Sequence, residues 1–133
     1  MLDLRSQTRL MGVHPDLVAV VRRAHEIAGN MELDFIVTEG RRSVARQKTL
    51  VAKGASKTMN SRHLTGHAVD LAAKVAGQVR WDWPLYHRLA GAMKQAAKEL
   101  GVKIVWGGDW KSFRDGPHFE LDRMAYPAPS NDS

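Results

Sequence analysis

The sequence contains no cysteine in its 133 residues. This absence excludes a disulfide framework, a thiol nucleophile and any metal site built on sulfur ligands. A metal ion would have to be held by histidine and carboxylate side chains, so the six histidines are the first residues to examine.

Long apolar runs are also missing from the chain. No window approaches the ~18 consecutive apolar residues of a membrane span. Segment 1–10 carries Asp3, Arg5 and Arg9 where a secretory signal would be apolar. The sequence therefore predicts a protein that is made in the cytosol, and that another factor has to release if it acts elsewhere.

The length and charge limit the organisation of the chain and its partners. We expect one domain over residues 1–126, followed by a disordered tail over 127–133. Lys and Arg number 20 against 14 Asp and Glu, which gives a net charge of +6. This excess favours anionic partners such as nucleic acid, lipopolysaccharide or wall polymer without choosing among them, and a merely basic, soluble surface is the alternative.

Hydrophobic spacing predicts the secondary structure. Two segments, 15–29 and 83–101, have apolar residues at helical spacing and end at a glycine. Ser43 resembles the N-cap of another helix that runs to about Ala52 and is closed by Gly54. Four shorter segments are typical of strands: 34–38, 67–73, 103–106 and 118–121. Because helices and strands do not alternate regularly, we expect an α+β domain with a small antiparallel sheet and about three helices.

One strand carries a carboxylate on a face that otherwise presents alanines. This residue is Asp70, and His63 lies seven residues earlier with Gly66 between them, which permits a sharp bend. His118, at the start of a later strand, would complete a set of two imidazoles and one carboxylate. Such a set, with one position left for water, is the arrangement of catalytic zinc sites.

Two further residues are candidates for chemistry beside a metal. Asp115 precedes His118 by three residues, which suits a general base, and Arg42 follows the first strand, where it would stabilise an oxyanion. Each residue also has an ordinary structural interpretation: Arg42 as part of a solvated helix start, and any single His or Asp as an exposed polar side chain. Trp83 and Trp106 could stack on sugars or bases, but adjoining apolar runs favour core packing.

Four motifs resemble one known family. Segment 61–70, Ser-Arg-His-Leu-Thr-Gly-His-Ala-Val-Asp, resembles the Ser-x-His-x-x-Gly-x-Ala-x-Asp signature of the zinc D-Ala-D-Ala carboxypeptidase and L-alanyl-D-glutamate endopeptidase family. Segment 115–118 matches its acidic-x-x-His motif, and segment 40–43 resembles its Gly-x-Arg-Ser/Thr element. Segment 106–110, Trp-Gly-Gly-Asp-Trp, resembles a segment of its phage endolysin branch.

The resemblance implies a hedgehog/D,D-peptidase-like fold and a role for each matching residue. It implies that Zn²⁺ is bound by three residues: His63, Asp70 and His118. It also implies that Asp115 is the general base, that Arg42 polarises the scissile carbonyl and that Ser61 contacts substrate. Glu120 is a competing carboxylate, which we expect to support His118 rather than to act as the base.

The phage endopeptidases of this family can use Asp where its carboxypeptidases commonly have Glu, so Asp115 favours the endopeptidase branch. The function implied is that of a phage-type endolysin, a monomer that cuts the L-Ala to D-Glu amide of peptidoglycan after holin-type release and binds no nucleic acid. The alternatives are a D-Ala-D-Ala carboxypeptidase or dipeptidase of the same fold, and a non-catalytic basic module that binds wall polymer or nucleic acid.

Overall fold

The chain folds around an antiparallel sheet in a computed structural model that describes residues 1–56 and 58–127. The helices are α1 (Leu4–Arg9), α2 (Pro15–Asn30), α3 (Val44–Ala52) and α4 (Trp83–Leu100). The strands are β1 (Asp34–Glu39), β2 (Ala68–Val75), β3 (Gln78–Arg80), β4 (Ile104–Trp106) and β5 (His118–Leu121). Short 3₁₀ turns occupy Arg62–Thr65 and Gly107–Asp109. The predicted α+β class is confirmed, whereas the predicted tail lies, from residue 128 onward, outside the described residues.

The strand order of the sheet is β1-β2-β5-β4, with β3 paired to the end of β2. Every pairing is antiparallel. In the register of these strands, Asp70 on β2 lies opposite His118 on β5 and opposite Glu39 on β1. Three ionisable residues from three strands therefore meet at the centre of the sheet.

The two faces of the sheet have different uses. Alternate residues of β2 and β5, such as Val69, Leu71 and Phe119, point into the hydrophobic core that α2 and α4 cover. The intervening residues, including Asp70 and His118, point to the opposite face. The core thus fixes the backbone that carries the polar side chains.

A β-bulge in β1 brings Glu39 to the polar face. Val37 pairs with Leu71 and Glu39 pairs with Asp70, so two steps along β1 match one step along β2. Val37 is fully buried in the core, and without the extra residue Glu39 would point the same way, because strand side chains alternate.

Some elements differ from the sequence-based expectation. The three predicted helices are confirmed, but α1 and β3 were not predicted, because both are short and lack a periodic apolar pattern. Core packing is confirmed for Trp106, which is 3% exposed, and is wrong for Trp83, which is 45% exposed. In the part of the chain that the structure describes, no helix has the length and apolar character needed to cross a bilayer.

Gly66 makes the bend that the sequence predicts between His63 and Asp70. Its φ angle is +74°, and it ends the 3₁₀ turn Arg62–Thr65. A Cβ atom built at this position would lie 2.2 Å from the carbonyl oxygen of Gly12. The position therefore requires glycine both for its backbone angle and for its close contact.

We expect Gly66→Ala to lower the free energy of unfolding by more than about 3 kcal/mol, because left-handed strain of about 1–2 kcal/mol adds to a backbone clash. Gly77→Ala is the matched control: its φ is +79°, and nothing lies within 4 Å of the added Cβ. Urea denaturation of both variants measures the difference. Equal losses of stability in the two variants would show that the close contact at Gly66 contributes nothing.

Candidate active site

The structure brings together the three residues that the sequence singled out as a metal-binding set. His63 comes from the 3₁₀ turn, Asp70 from β2 and His118 from β5. His63 Nε2 and His118 Nδ1 each lie 3.3 Å from Asp70 Oδ1. One potential ligand atom from each residue lies within 4.8 Å of the others.

These distances fit a small tetrahedral cation. Zinc bonds of roughly 2.0–2.1 Å at tetrahedral angles place neighbouring ligand atoms about 3.3–3.4 Å apart. Two of the separations in the cluster have this value. Two imidazoles and one carboxylate are also a donor set that leaves a fourth position for water or substrate. The cluster can therefore hold a metal ion.

Outer hydrogen bonds orient both imidazole rings. His63 Nδ1 lies 2.8 Å from the carbonyl oxygen of Gly40, so it donates its proton there and Nε2 faces Asp70. His118 Nε2 lies 2.8 Å from Glu120 Oε1, which leaves Nδ1 facing Asp70. Partners of this kind fix the tautomer of a metal-binding histidine. The contact agrees with the expectation that Glu120 supports His118.

The charged side chains of the cluster stabilise one another. Burial opposes ionisation of Asp70, but hydrogen bonds from His118 and His63 outweigh it and hold the pKa of this carboxyl well below its usual value. Burial likewise disfavours the charged form of His118, yet its hydrogen bonds to Asp70 and Glu120 raise its pKa to about 9. At neutral pH a cation that binds here displaces the proton of His118.

Asp115 lies beside the cluster on the turn that leads into β5. The backbone N–H of Asp115 donates to the Gly107 carbonyl at 3.1 Å, and the N–H of His118 donates to the Asp115 carbonyl at 3.2 Å. Burial raises the pKa of Asp115, and the nearby charge of Asp70 adds to this effect. Its carboxyl therefore exchanges a proton closer to neutral pH than an exposed Asp would.

Arg42 is a buried, fixed side chain, so its interpretation as part of a solvated helix start is wrong. The Arg42 side chain is 8% exposed, and its Nη2 lies 3.7 Å from Asp70 Oδ2. Its Nε and Nη2 donate to the two carboxylate oxygens of Glu39 at 2.7 Å each, and Nη1 donates to Gln47 Oε1 at 2.8 Å. This bidentate pair aims the guanidinium into the cleft.

Glu39 and Gln47 shape this site but were not predicted from the sequence, and Trp110 was noted only as part of segment 106–110. Glu39 and Gln47 hold Arg42, and Gln47 in turn donates to the Ser56 hydroxyl at 2.8 Å. The ring of Trp110 lies 5.0 Å from that of His118. The available sequence signal was segment 106–110, which ends at Trp110. The complete burial of Gln47 on α3 is visible only in the structure.

The cluster opens into a polar cleft of about 320 Å³. Ser61, Asp115 and Arg42 line the cleft together with the three metal-type residues. The Ser61 hydroxyl accepts a hydrogen bond from the backbone N–H of His63 at 3.2 Å, so it also supports the 3₁₀ turn. All six residues that the sequence proposed for the site therefore lie in one cleft.

The chain matches a known family over nearly its whole length. The sequence model of the family described as phage L-alanyl-D-glutamate peptidase matches residues 1–130. The chain is a member of this family. A curated relative, the L-alanyl-D-glutamate peptidase of Escherichia phage T5, is 36% identical over 125 residues, which cover 91% of this chain and 88% of the relative.

Solved structures agree with the assignment to the phage L-alanyl-D-glutamate peptidase family. The Serratia marcescens L-Ala D-Glu endopeptidase ChiX superposes with a TM-score of 0.88 at 50% sequence identity, over 94% of this chain and 92% of that chain. The D,D-pentapeptidase VanY in complex with Zn(II) superposes with a TM-score of 0.60 at 15% identity, over 82% and 72% of the two chains. The second likeness shows the fold alone, and it confirms the predicted D,D-peptidase-like architecture.

Proposed function

We propose that the protein is a zinc-dependent L-alanyl-D-glutamate endopeptidase that cleaves the stem peptide of peptidoglycan during host lysis. Membership of the phage peptidase family and the 50% identity with ChiX support the choice of bond. The observation that carries the mechanism is the convergence of His63, Asp70 and His118 in a cleft that Asp115 and Arg42 also line.

Zinc is the cation that best matches the three proposed ligands. The set contains two nitrogens and one oxygen without sulfur, and the VanY neighbour is a zinc complex. Two of its three ligand-atom separations have the 3.3 Å value of a tetrahedral zinc site. Bound there, zinc supplies Lewis acidity that lowers the pKa of a water molecule and polarises a carbonyl group.

Asp115 acts as the general base in this proposal. Its carboxylate takes a proton from the attacking water as the oxygen–carbon bond forms, and it returns that proton to the D-Glu nitrogen as the carbon–nitrogen bond breaks. The raised pKa of Asp115 suits both transfers, because a very weak base would not take the proton. The cycle needs no covalent intermediate.

Arg42 stabilises the negative charge that develops on the carbonyl oxygen. Each of its Nη atoms carries two N–H groups. On Nη1 one of them donates to Gln47, so the other remains for substrate; Nη2 donates to Glu39 and lies 3.7 Å from Asp70 Oδ2. Because the carboxylate of Glu39 and the amide of Gln47 already hold the guanidinium, little reorganisation is required in the transition state. Ser61, at the wall of the same cleft, is placed to contact the peptide.

We propose peptidoglycan as the partner, a monomer as the working form and no nucleic-acid role. The net charge of +6 supports capture by an anionic wall surface. In this proposal the protein is made in the host cytoplasm and reaches the wall through a holin-type lesion. Lysis of intact cells would then depend on a membrane-permeabilising partner.

Mass spectrometry of digested, purified peptidoglycan tests the proposed activity. We expect glycan strands that keep L-Ala and free stem peptides that begin with D-Glu, because cleavage falls between these residues. A chelator should abolish the products, and added Zn²⁺ should restore them. Loss of only the terminal D-Ala would identify a carboxypeptidase instead, and undiminished cleavage in chelator would contradict a metal mechanism.

The role of Asp115 is tested by Asp115→Asn. We expect kcat to fall by about two to four orders of magnitude, because the amide cannot accept the proton, while zinc content stays unchanged. Asp109→Asn is the matched control, since this carboxylate belongs to the neighbouring 3₁₀ turn and forms an exposed ion pair with Lys94. Asp115 would not be the base if its variant retained the activity of the Asp109 variant.

A further inference from the structure

A second cavity of about 190 Å³ adjoins the cleft on the other side of the turn that carries Asp115. Trp81, Trp83, Tyr86 and Arg114 line it, and Asp115 lines both this cavity and the cleft. We call this cavity the aromatic groove. We propose that the aromatic groove binds the N-acetylated sugar of the glycan strand to which the stem peptide is attached, an inference that rests on the proposed endopeptidase function.

The groove exposes large aromatic surface that the core does not use. Trp81 is 62% and Trp83 is 45% exposed. In the described ranges 1–56 and 58–127, the other aromatic side chain exposed to this degree is Phe113, which does not line the groove. Adjacent exposed rings in one concave place are typical of a binding surface rather than of scattered surface residues.

The rings of the groove are held in place. Trp81 stacks on Tyr86 with parallel planes and a centroid distance of 6.0 Å. The Tyr86 hydroxyl donates to the Arg80 carbonyl at 2.8 Å and accepts from the backbone N–H of Ala73 at 3.1 Å. A ring fixed before binding loses little entropy when a ligand stacks on it.

The groove and the cleft share a wall. A Cβ atom on Gly116 would lie 3.3 Å from both Trp83 and Tyr86, so the turn after Asp115 rests directly on the aromatic rings. A ligand in the groove therefore lies one turn of chain away from the proposed base. This continuity makes the groove an extension of the substrate site.

The two ends of the substrate differ in chemistry, as do the groove and the cleft on either side of Asp115. In peptidoglycan the L-Ala nitrogen is joined to the lactyl group of an N-acetylated sugar, whereas D-Glu and later residues carry free carboxylates. The lactyl and L-Ala units together span on the order of 7 Å, about two residue lengths, so the sugar falls beyond the cleft itself. The cleft lining contains three arginines, Arg42, Arg62 and Arg123. The Arg123 side chain is 63% exposed, so its positive charge is open to the carboxylates of the substrate.

The aromatic groove suits the sugar end instead. Its rings match the uncharged C–H face of a sugar, because aromatic side chains offer broad apolar area with a fixed geometry. Arg114 is exposed, and in the described part of the chain no carboxylate forms an ion pair with it, so its N–H groups are available to hydroxyl and acetamido oxygens. The substrate then runs from the groove, past Asp115, to the arginines.

The test compares two soluble substrates that contain the same scissile bond. One carries the N-acetylated sugar on its lactyl-L-Ala-D-Glu stem, and the other carries only an acetyl group on L-Ala. We expect wild-type kcat/KM to be about tenfold higher for the sugar-bearing substrate. Trp81→Ala should bring this ratio close to one and leave cleavage of the sugar-free peptide unchanged, while Trp81→Phe should restore part of the preference.

Phe113→Ala is the matched control, since it removes an exposed aromatic ring outside the groove and should keep the wild-type ratio. Equal cleavage of both substrates by the wild type would overturn the sugar site while leaving the endopeptidase function intact. A parallel loss on both substrates in Trp81→Ala would also overturn it, because that result assigns Trp81 to support of the turn. Cleavage of neither substrate would remove the proposed function and this inference together.

Discussion

Asp70 is a carboxylate held largely inside the protein, where its charge would be costly without partners. His63 Nε2 and His118 Nδ1 lie at 3.3 Å from one of its oxygens, and Arg42 Nη2 lies at 3.7 Å from the other. These contacts bring together the loop before β2, the start of β5 and the segment after β1. The geometry of the site depends on this one carboxylate, and its position depends on the register of the sheet.

The alternation of β2 explains how such a site coexists with a small core. Val69 and Leu71 are completely buried beneath the helices, and they fix the strand. Ala68 and Ala72 flank Asp70 on the other face, where their small side chains leave room for the two imidazoles. The same alternation on β5 places Phe119 in the core and His118 in the site.

The candidate metal set could be predicted because His63 and Asp70 carry local signals, and because the resemblance of segments 61–70 and 115–118 to a known family implies all three ligands. A lone Asp between alanines on a strand, and a glycine that allows a turn after His63, are visible in the sequence. Glu39 was not found, because its direction depends on a β-bulge that no residue type marks. Gln47 was not identified because only the packing of α3 shows that this polar side chain is buried and meets Arg42.

The predicted burial of Trp83 is wrong for a related reason. Apolar neighbours in the sequence favour burial, but the tertiary structure directs this ring toward the turn at Gly116 rather than into the core. Trp106, with the same kind of neighbours, is buried, and its indole N–H donates to the Gly116 carbonyl at 2.7 Å. The sequence pattern predicts that an aromatic ring packs against apolar neighbours. The tertiary structure decides whether the ring also keeps an exposed face.

The central claim is that Asp70 joins His63 and His118 in binding one zinc ion. Calorimetric titration of Zn²⁺ into metal-free protein at neutral pH tests this claim most directly. The titration compares the wild type with Asp70→Asn. Asp34→Asn is the control, because Asp34 is an exposed carboxylate on an edge strand. We predict one zinc per chain for the wild type and for Asp34→Asn. For Asp70→Asn we predict an affinity lower by more than about a hundredfold, since even the loss of an outer partner costs 10–100-fold. Equal zinc affinity in all three proteins, with the fold intact by circular dichroism, would contradict the account.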